Sequence, residues 1–350
     1  MILAKAVKGS DLDTYVDAPP PGWDEVVSRL GGTVYHSSIW ADYQRATQSV
    51  QPIFALRRDS TGGVTGGSLL LFRRSPTPVA ALLFRDLTVP AYPFTEHFNG
   101  SGLTQLLHEC EGVARAYGCS QIRLESFMSG GSNFIPAHCG YKEDCRIEFC
   151  VDLTRDLDSL WKGMRKDHRE RVKRLKREGV YVEIGNSRED LRGLKVAREF
   201  TQARRSQRGQ GYEISQEAKF YEQLDQLIVK RGAGRLFVAK RGGDVVASIF
   251  FLTFNGRANS VFSGSTDLGY KVGAQSGLFW AAVEHFKSEG FQELNRGGLS
   301  ATAENESNPL HGIYLFKLRL GTTPQICRSG IKVLSPVRHR LRQLRRSLWR

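Results

Sequence analysis

The same succession of local signals occurs twice along these 350 residues, and that repetition constrains the fold more than any single motif. The apolar, β-leaning runs at 52–57 ("PIFALR") and 67–73 ("GSLLLFR") flank the turn-rich "RDSTGGVTGG" and predict a hairpin. After more strand-like sequence, "NGSGLTQLLHECEGVARAYGCSQIRLESF" carries Leu103, Leu106, Leu107, Cys110, Val113 and Ala114 at helical spacing. The helix stops near Gly118, and "SQIRLES" follows as a strand. Residues 234–254 start the series again, with a hairpin turning at Gly242-Gly243-Asp244 and a third strand in "GRANSVFSGS". A helix follows in "GLFWAAVEHFKSEG", with Leu278, Ala281, Ala282, His285 and Phe286 on one side, and then a strand in "FQELNRGG". Two copies of one α/β (α+β) domain, each a mixed central sheet flanked by helices, is the economical reading. The expected division is 1–154, then 155–334 opening with a basic helix, then a basic amphipathic helix at 335–350.

Charge is concentrated rather than diffuse. The net charge is +14, and residues 161–179, "WKGMRKDHRERVKRLKREG", hold nine bases against three acids. Residues 337–350, "VRHRLRQLRRSLWR", add six Arg and no acid, so the rest of the chain is nearly balanced. Leu160, Met164, His168, Val172 and Leu175 form one apolar stripe through the first segment, "DLDSL" offers a cap before it, and Gly179 supplies a stop. Acids are too few to pair the bases at i,i+4 spacing, so the helix repels itself unless a polyanion binds. Arg165, Arg169, Lys173 and Lys176 are the candidates for that contact. In the second segment Val337, Leu341, Leu344 and Leu348 mark an apolar stripe. It would dock on its own domain, on nucleic acid or on an anionic membrane surface.

The six cysteines show no CxxC pair. "HCGYKEDCRIEFC" (138–150) fits no zinc spacing and reads as core cysteine, so no metal is expected. Free thiols suit a reducing compartment, the amino terminus has no long apolar run, and "PVAALLF" is too short for a membrane span. The expectation is a cytoplasmic protein that could touch the inner membrane face through 337–350.

Two glycine loops precede helices. "HFNGSGL" (97–103), with Gly100 and Gly102, is similar to the pyrophosphate loop of acyl-CoA-dependent N-acetyltransferases; "YKVGAQSGL" (270–278) matches less well. His36, His108 and His285 read as structural. In "LHGIYLFKLRLGTTP" (310–324), read as a strand, Ile313, Leu315 and Lys317 face one way and Tyr314, Phe316 and Leu318 the other. A lysine on an apolar face is costly unless it is paired, lines a cleft or snorkels to water.

The order "DL…LWKGMRKDHRERVKRLKREGVYVE", "FTQARRSQRGQGYEIS", "GLFWAAVEHFKSEGFQELNRGG" and "GIYLFKLRLGTTP" resembles the FemAB-type aminoacyltransferases, tandem-domain members of the N-acetyltransferase (GNAT) superfamily. "VYHSSIWADYQRA" (34–46) is similar to that family's opening. The resemblance implies two GNAT-like domains and transfer of an amino acid from aminoacyl-tRNA to an amine of a peptidoglycan or other cell-envelope precursor, without a cofactor. It assigns Lys317 to catalysis and Phe316 beside it to the acceptor amine and the tRNA 3′ end. It also gives Arg205 or Arg208 to precursor phosphates and Tyr270 to substrate binding. The long helical arm of some members is missing. Two alternatives stand beside this reading: an acyl-CoA-dependent N-acyltransferase acting on an amino sugar or other amine, and a non-catalytic module binding RNA or membrane.

Overall fold

The computed structural model describes residues 5–6, 12–74, 85–96, 100–129, 132–211 and 218–341. The "PVAALLF" run up to residue 84, residues 97–99 of the first glycine loop, and Leu344, Leu348 and Trp349 of the last basic segment lie outside them. Two compact units are present. One comprises residues 1–145 together with 327–350, and the other residues 146–326. The division 1–154, 155–334 and 335–350 read from the linear order differs from these units in giving 146–154 to the first domain, 327–334 to the second and 335–350 to neither.

In the first unit, strands β1 (Lys5–Ala6), β2 (Asp13–Val16), β3 (Gln51–Arg58), β4 (Val64–Arg74) and β5 (Arg85–Val89) are laid down antiparallel. The helices α1 (Trp23–Arg29) and α2 (Ser38–Gln48) separate β2 from β3, and the short β6 (Phe94–Thr95) pairs with β4. Helix α3 (Gly100–Ala116) then carries the chain to β7 (Gln121–Leu124), which pairs with β5 in parallel. Leu103, Leu106, Leu107, Cys110, Val113 and Ala114 are all buried, as a 3.6-residue period requires of a helix lying on a sheet.

The second unit repeats the plan. It includes the end of β8 (Lys142–Asp152), helices α4 (Leu157–Gly163) and α5 (Lys166–Arg177), and the edge strand β9 (Tyr181–Gly185). Helices α6 (Arg188–Gln207) and α7 (Ala218–Leu224) precede the antiparallel strands β10 (Gly234–Arg241), β11 (Asp244–Phe254) and β12 (Arg257–Ser265). The turn between β10 and β11 places both Gly242 and Gly243 at positive φ, the backbone a two-residue hairpin turn demands. Helices α8 (Asp267–Val272) and α9 (Ala274–Ser288) lead to β13 (Glu293–Ser300), parallel to β12. A last helix, α10 (His311–Leu318), leads into β14 (Thr323–Val333).

Each parallel pair is flanked by a strand from an unexpected part of the chain. β8 follows β7 in sequence, yet its residues 146–152 pair with β13. β14 follows β13, yet its residues 330–333 pair with β7. This exchange is why 327–334 belongs with the first unit, and strand order alone carries no trace of it.

The basic segment is two helices, not one. Met164 and Arg165 have extended backbone between α4 and α5. The Arg165 N–H donates to the Arg319 carbonyl at 2.9 Å, and a side chain at Gly321 would strike the Gly163 backbone at 2.9 Å. A chain pressed this closely against Gly163, a weak helix former, breaks the helix there. The stripe still works: Leu160, Met164, His168 and Leu175 are buried, and Val172 packs partly buried against the same core. Asp156 caps α4 by accepting from the Ser159 N–H.

Candidate functional site

The second unit contains a cleft of about 360 Å³ whose position follows from where β12 and β13 part. Their parallel pairing runs only from Arg257–Asn259 to Glu293–Asn295, after which Arg296 and Gly297 leave the register. Gly297 has a φ of 78°, and a Cβ there would lie 2.8 Å from the Ser260 carbonyl oxygen, so glycine is required.

Into this opening the surrounding helices bring cations. Helix α6 supplies Arg204 and Arg205 and its C-cap Arg208, α5 supplies Arg171, β13 supplies Arg296 and α10 supplies Lys317. These six line the cleft with no Asp or Glu among its described lining residues. Helix α6 reaches the position because Gly264 of β12 has no side chain: a Cβ there would fall 2.4 Å from the Arg198 backbone nitrogen. Tyr270 lies beneath the Arg204 guanidinium, 4.5 Å from ring centroid to charge, and donates to Thr201 Oγ1 at 3.1 Å.

Residues 311–318 are helical, not the strand that their apolar run suggested. The correction matters chemically, because a strand would send Phe316 and Lys317 to opposite faces. In α10 the residues Ile313, Phe316 and Lys317 all line the cleft, while Tyr314 is buried beside Phe149. Short apolar runs do not separate helix from strand by pattern alone. Phe316 packs edge-on against His168 at 5.2 Å, and His168 Nδ1 lies 2.8 Å from the buried Ser276 hydroxyl.

Lys317 donates from Nζ to the Arg296 carbonyl at 3.0 Å and sits 5.3 Å from the centre of the Phe149 ring. Its amine is held well below the ordinary lysine range, first by desolvation and then by repulsion from Arg296, Arg146 and Arg205; Glu148 opposes this. Arg296 is 5% exposed, and burial lowers its pKa to about 10. Its Nη1 donates to Ser260 Oγ at 3.0 Å and its Nη2 to Gln275 Oε1 at 2.8 Å. Gln275 is fixed in turn, donating to the carbonyls of Ser248 and Gly264 and to Ser265 Oγ.

Of the sequence-derived candidates, the structure therefore brings Arg205, Arg208, Tyr270, Phe316 and Lys317 together. Arg165, Arg169, Lys173 and Lys176 do not line the cleft. Arg169 Nη1 donates to the Lys162 and Met164 carbonyls at 2.9 and 2.8 Å, tying off the end of α4, and Lys173 pairs with Glu170. Gly100 and Gly102 fall in the first turn of α3, in the other unit, rather than in an open loop. In the second glycine loop, Gly273 is the N-cap of α9 and the Gln275 side chain folds back onto the sheet.

Arg171, Arg204, Gln275 and Arg296 were not singled out by sequence reasoning. Arg296 shares a strand face with the buried Leu294, so the test that drew attention to Lys317, a charge among apolar neighbours, would have found it. Nothing local marks the others. Among the described residues no group of three or more His, Cys, Asp or Glu could hold a metal, so His138, Cys139, Cys145 and Cys150 form no such cluster. No described helix is long and apolar enough to cross a membrane.

Residues 162–305, which contribute most of the cleft, match the family model described as an acetyltransferase (GNAT) domain. No curated protein matches the chain in sequence. Among solved structures, FemX aligns with a TM-score of 0.71 at 12% identity, over 91% of this chain and 98% of that one. L-PGS from Bacillus licheniformis gives 0.54 at 15% identity, covering 94% of this chain and 96% of the other. The C-terminal domain of a putative lysylphosphatidylglycerol synthetase from Agrobacterium fabrum gives 0.55 at 13%, covering 91% and 92%. Likeness at such identities speaks to fold alone, and the chain has an α/β GNAT-like fold, a mixed sheet with flanking helices.

Proposed function

We propose that this protein is an acyltransferase with tandem GNAT-like domains. In this reading it moves an amino acid from aminoacyl-tRNA to an amine of a phosphate-bearing cell-envelope precursor. The observation that carries the reading is the cleft itself: five arginines, no carboxylate among the described lining residues, and the Lys317 amine at the point where β12 and β13 separate. Substrates that carry phosphate fit such a surface, and their charge would be compensated there.

Lys317 serves the transition state. As the ammonium it stands beside the oxyanion that develops when the acceptor's amine attacks the ester carbonyl, and Phe316 and Tyr270 shape the apolar side of the site. A C–N bond forms, the ester C–O bond breaks, and the proton that the amine loses passes through substrate phosphate or water to the departing tRNA hydroxyl.

The test is transfer of label from a mixed pool of charged tRNAs to a lipid-linked peptidoglycan precursor, with Lys317→Met as control. Label reaching the precursor only with the unmutated protein supports the proposal and identifies the amino acid. The match of residues 162–305 to an acetyltransferase domain favours one second reading, in which acyl-CoA is the donor. Consumption of acyl-CoA with an amine acceptor, and no use of charged tRNA, would establish it. Contact with tRNA through the outer face of α5, or with the inner membrane surface through 337–350, is part of the proposal. Salt-dependent binding weakened by Lys173→Glu and Lys176→Glu, with a binding partner of either kind, tests the first element.

A further inference from the structure

Arg296 has a role that neither the charge count nor the proposed chemistry assigns. It is only 5% exposed, it lines the cleft, and both of its terminal nitrogens are held by fixed partners. Its Nε is buried with no hydrogen-bond partner among the described residues. A guanidinium pinned at both ends, with a donor left over, is costly to bury and is preorganised for an acceptor that arrives from outside.

The neighbourhood of Lys317 completes the picture. Its Nζ bonds to the carbonyl of Arg296 itself, so the two residues share one piece of β13 backbone. The charged groups acting on that amine are Arg296 from β13, Arg146 and Glu148 from β8, and Arg205 from α6. Glu148 is already engaged, accepting from Asn295 Nδ2 at 2.7 Å and from Arg146 at 3.3 Å. The cleft thus sets an excess of positive charge around an amine whose protonation is disfavoured.

We propose that Arg296 and Lys317 form one anion-binding pair, in which the Arg296 guanidinium receives a phosphate-type oxyanion and Lys317 takes up a proton as that oxyanion binds. The incoming negative charge offsets the repulsion from the three arginines and makes the ammonium form favourable. This deepens the acyltransferase reading by naming which residues sense the substrate's charge, and it rests on that reading only for the biological source of the phosphate.

Isothermal titration of inorganic pyrophosphate into the whole protein at pH 8, in two buffers of different ionisation enthalpy, reads affinity and proton uptake together. The wild type is expected to take up protons on binding. Lys317→Met should bind with that uptake abolished, and Arg296→Gln should bind at least about tenfold more weakly. Because Arg296 is buried, Arg296→Lys is tested beside it: a compact ammonium cannot keep both the Ser260 and Gln275 contacts, so affinity should fall several-fold in a folded protein. Wild-type affinity in either Arg296 variant, or undiminished proton uptake in Lys317→Met, overturns the pair. No aminoacyl donor enters the experiment, so it can succeed where aminoacyl transfer fails, and the reverse. Repeating it with coenzyme A and with deacylated tRNA identifies the source, since the Arg296→Gln loss follows the ligand whose phosphate reaches the pair.

Discussion

Lys317 shows how far a single side chain's surroundings govern both chemistry and stability. Its folded-state proton affinity is depressed, whereas the unfolded chain restores the ordinary value of 10.5. Between those limits the unfolded state binds the extra proton, so the Lys317 contribution to stability rises with pH and levels off above 10.5. Lys317→Met should therefore melt at a higher temperature than the wild type at pH 7, the gap closing as pH approaches 10.5, while turnover falls about 10²–10³-fold. Calorimetric melts across pH, paired with transfer rates, check both halves. His36 behaves alike in the first unit, where burial lowers its pKa to about 4 from 6.5. Stability is full above pH 6.5 and is lost as pH falls toward 4, to a total of about 3 kcal/mol. His36→Gln should flatten the change in melting temperature across that window. The sequence marked Lys317 because a charge among apolar residues stands out, but its partners lie 21 or more residues away in β13 and β8, and no local pattern names them.

At the level of elements, the cleft depends on one helix lying unusually close to one strand. Helix α6 carries Arg204 and Arg205 with Arg208 as its C-cap, and it rests on β12 at Gly264. A methyl group at that glycine would meet the Ala197 carbonyl carbon and the Arg198 nitrogen at 2.4 Å, and backbone cannot swing aside as a flexible side chain does. Gly264→Ala should cost about 1–3 kcal/mol and lift the three arginines, reducing pyrophosphate affinity by about tenfold. Denaturant unfolding and titration calorimetry measure the two effects. Element type was largely legible: both hairpins, the helices α3 and α9 and the strands after them appear where periodicity and glycine turns put them. The two misreadings share one cause, tertiary contact overriding local pattern. The 310–318 run is apolar almost throughout, a pattern that fits either element, and packing selected the helix. The 161–179 segment carried an unbroken stripe, and the chain at 319–321 broke it.

Across the whole molecule, residues far apart in sequence finish each unit. Lys332 of β14 donates to both oxygens of Glu111 at 2.8 and 2.9 Å and to the Cys139 carbonyl at 2.8 Å, across 221 and 193 residues. Glu111 is 1% exposed, and Arg115 gives it a further contact at 3.1 Å. Lys332→Met should remove about 3 kcal/mol, because a buried carboxylate loses its main partner. Loss measured in urea that is instead below 0.5 kcal/mol would mean Arg115 suffices alone. Contacts of such separation also make folding slow, since the exchanged strands close large loops. The sequence by itself determined the periods of its apolar residues, its turns, its two basic segments and hence the repeated α/β plan, because these are set by neighbours within a few residues. The tertiary structure alone decided which strand closes which unit and which cations converge on one cleft. Those outcomes depend on pairing energies between segments a hundred or more residues apart, which chain-local pattern does not encode.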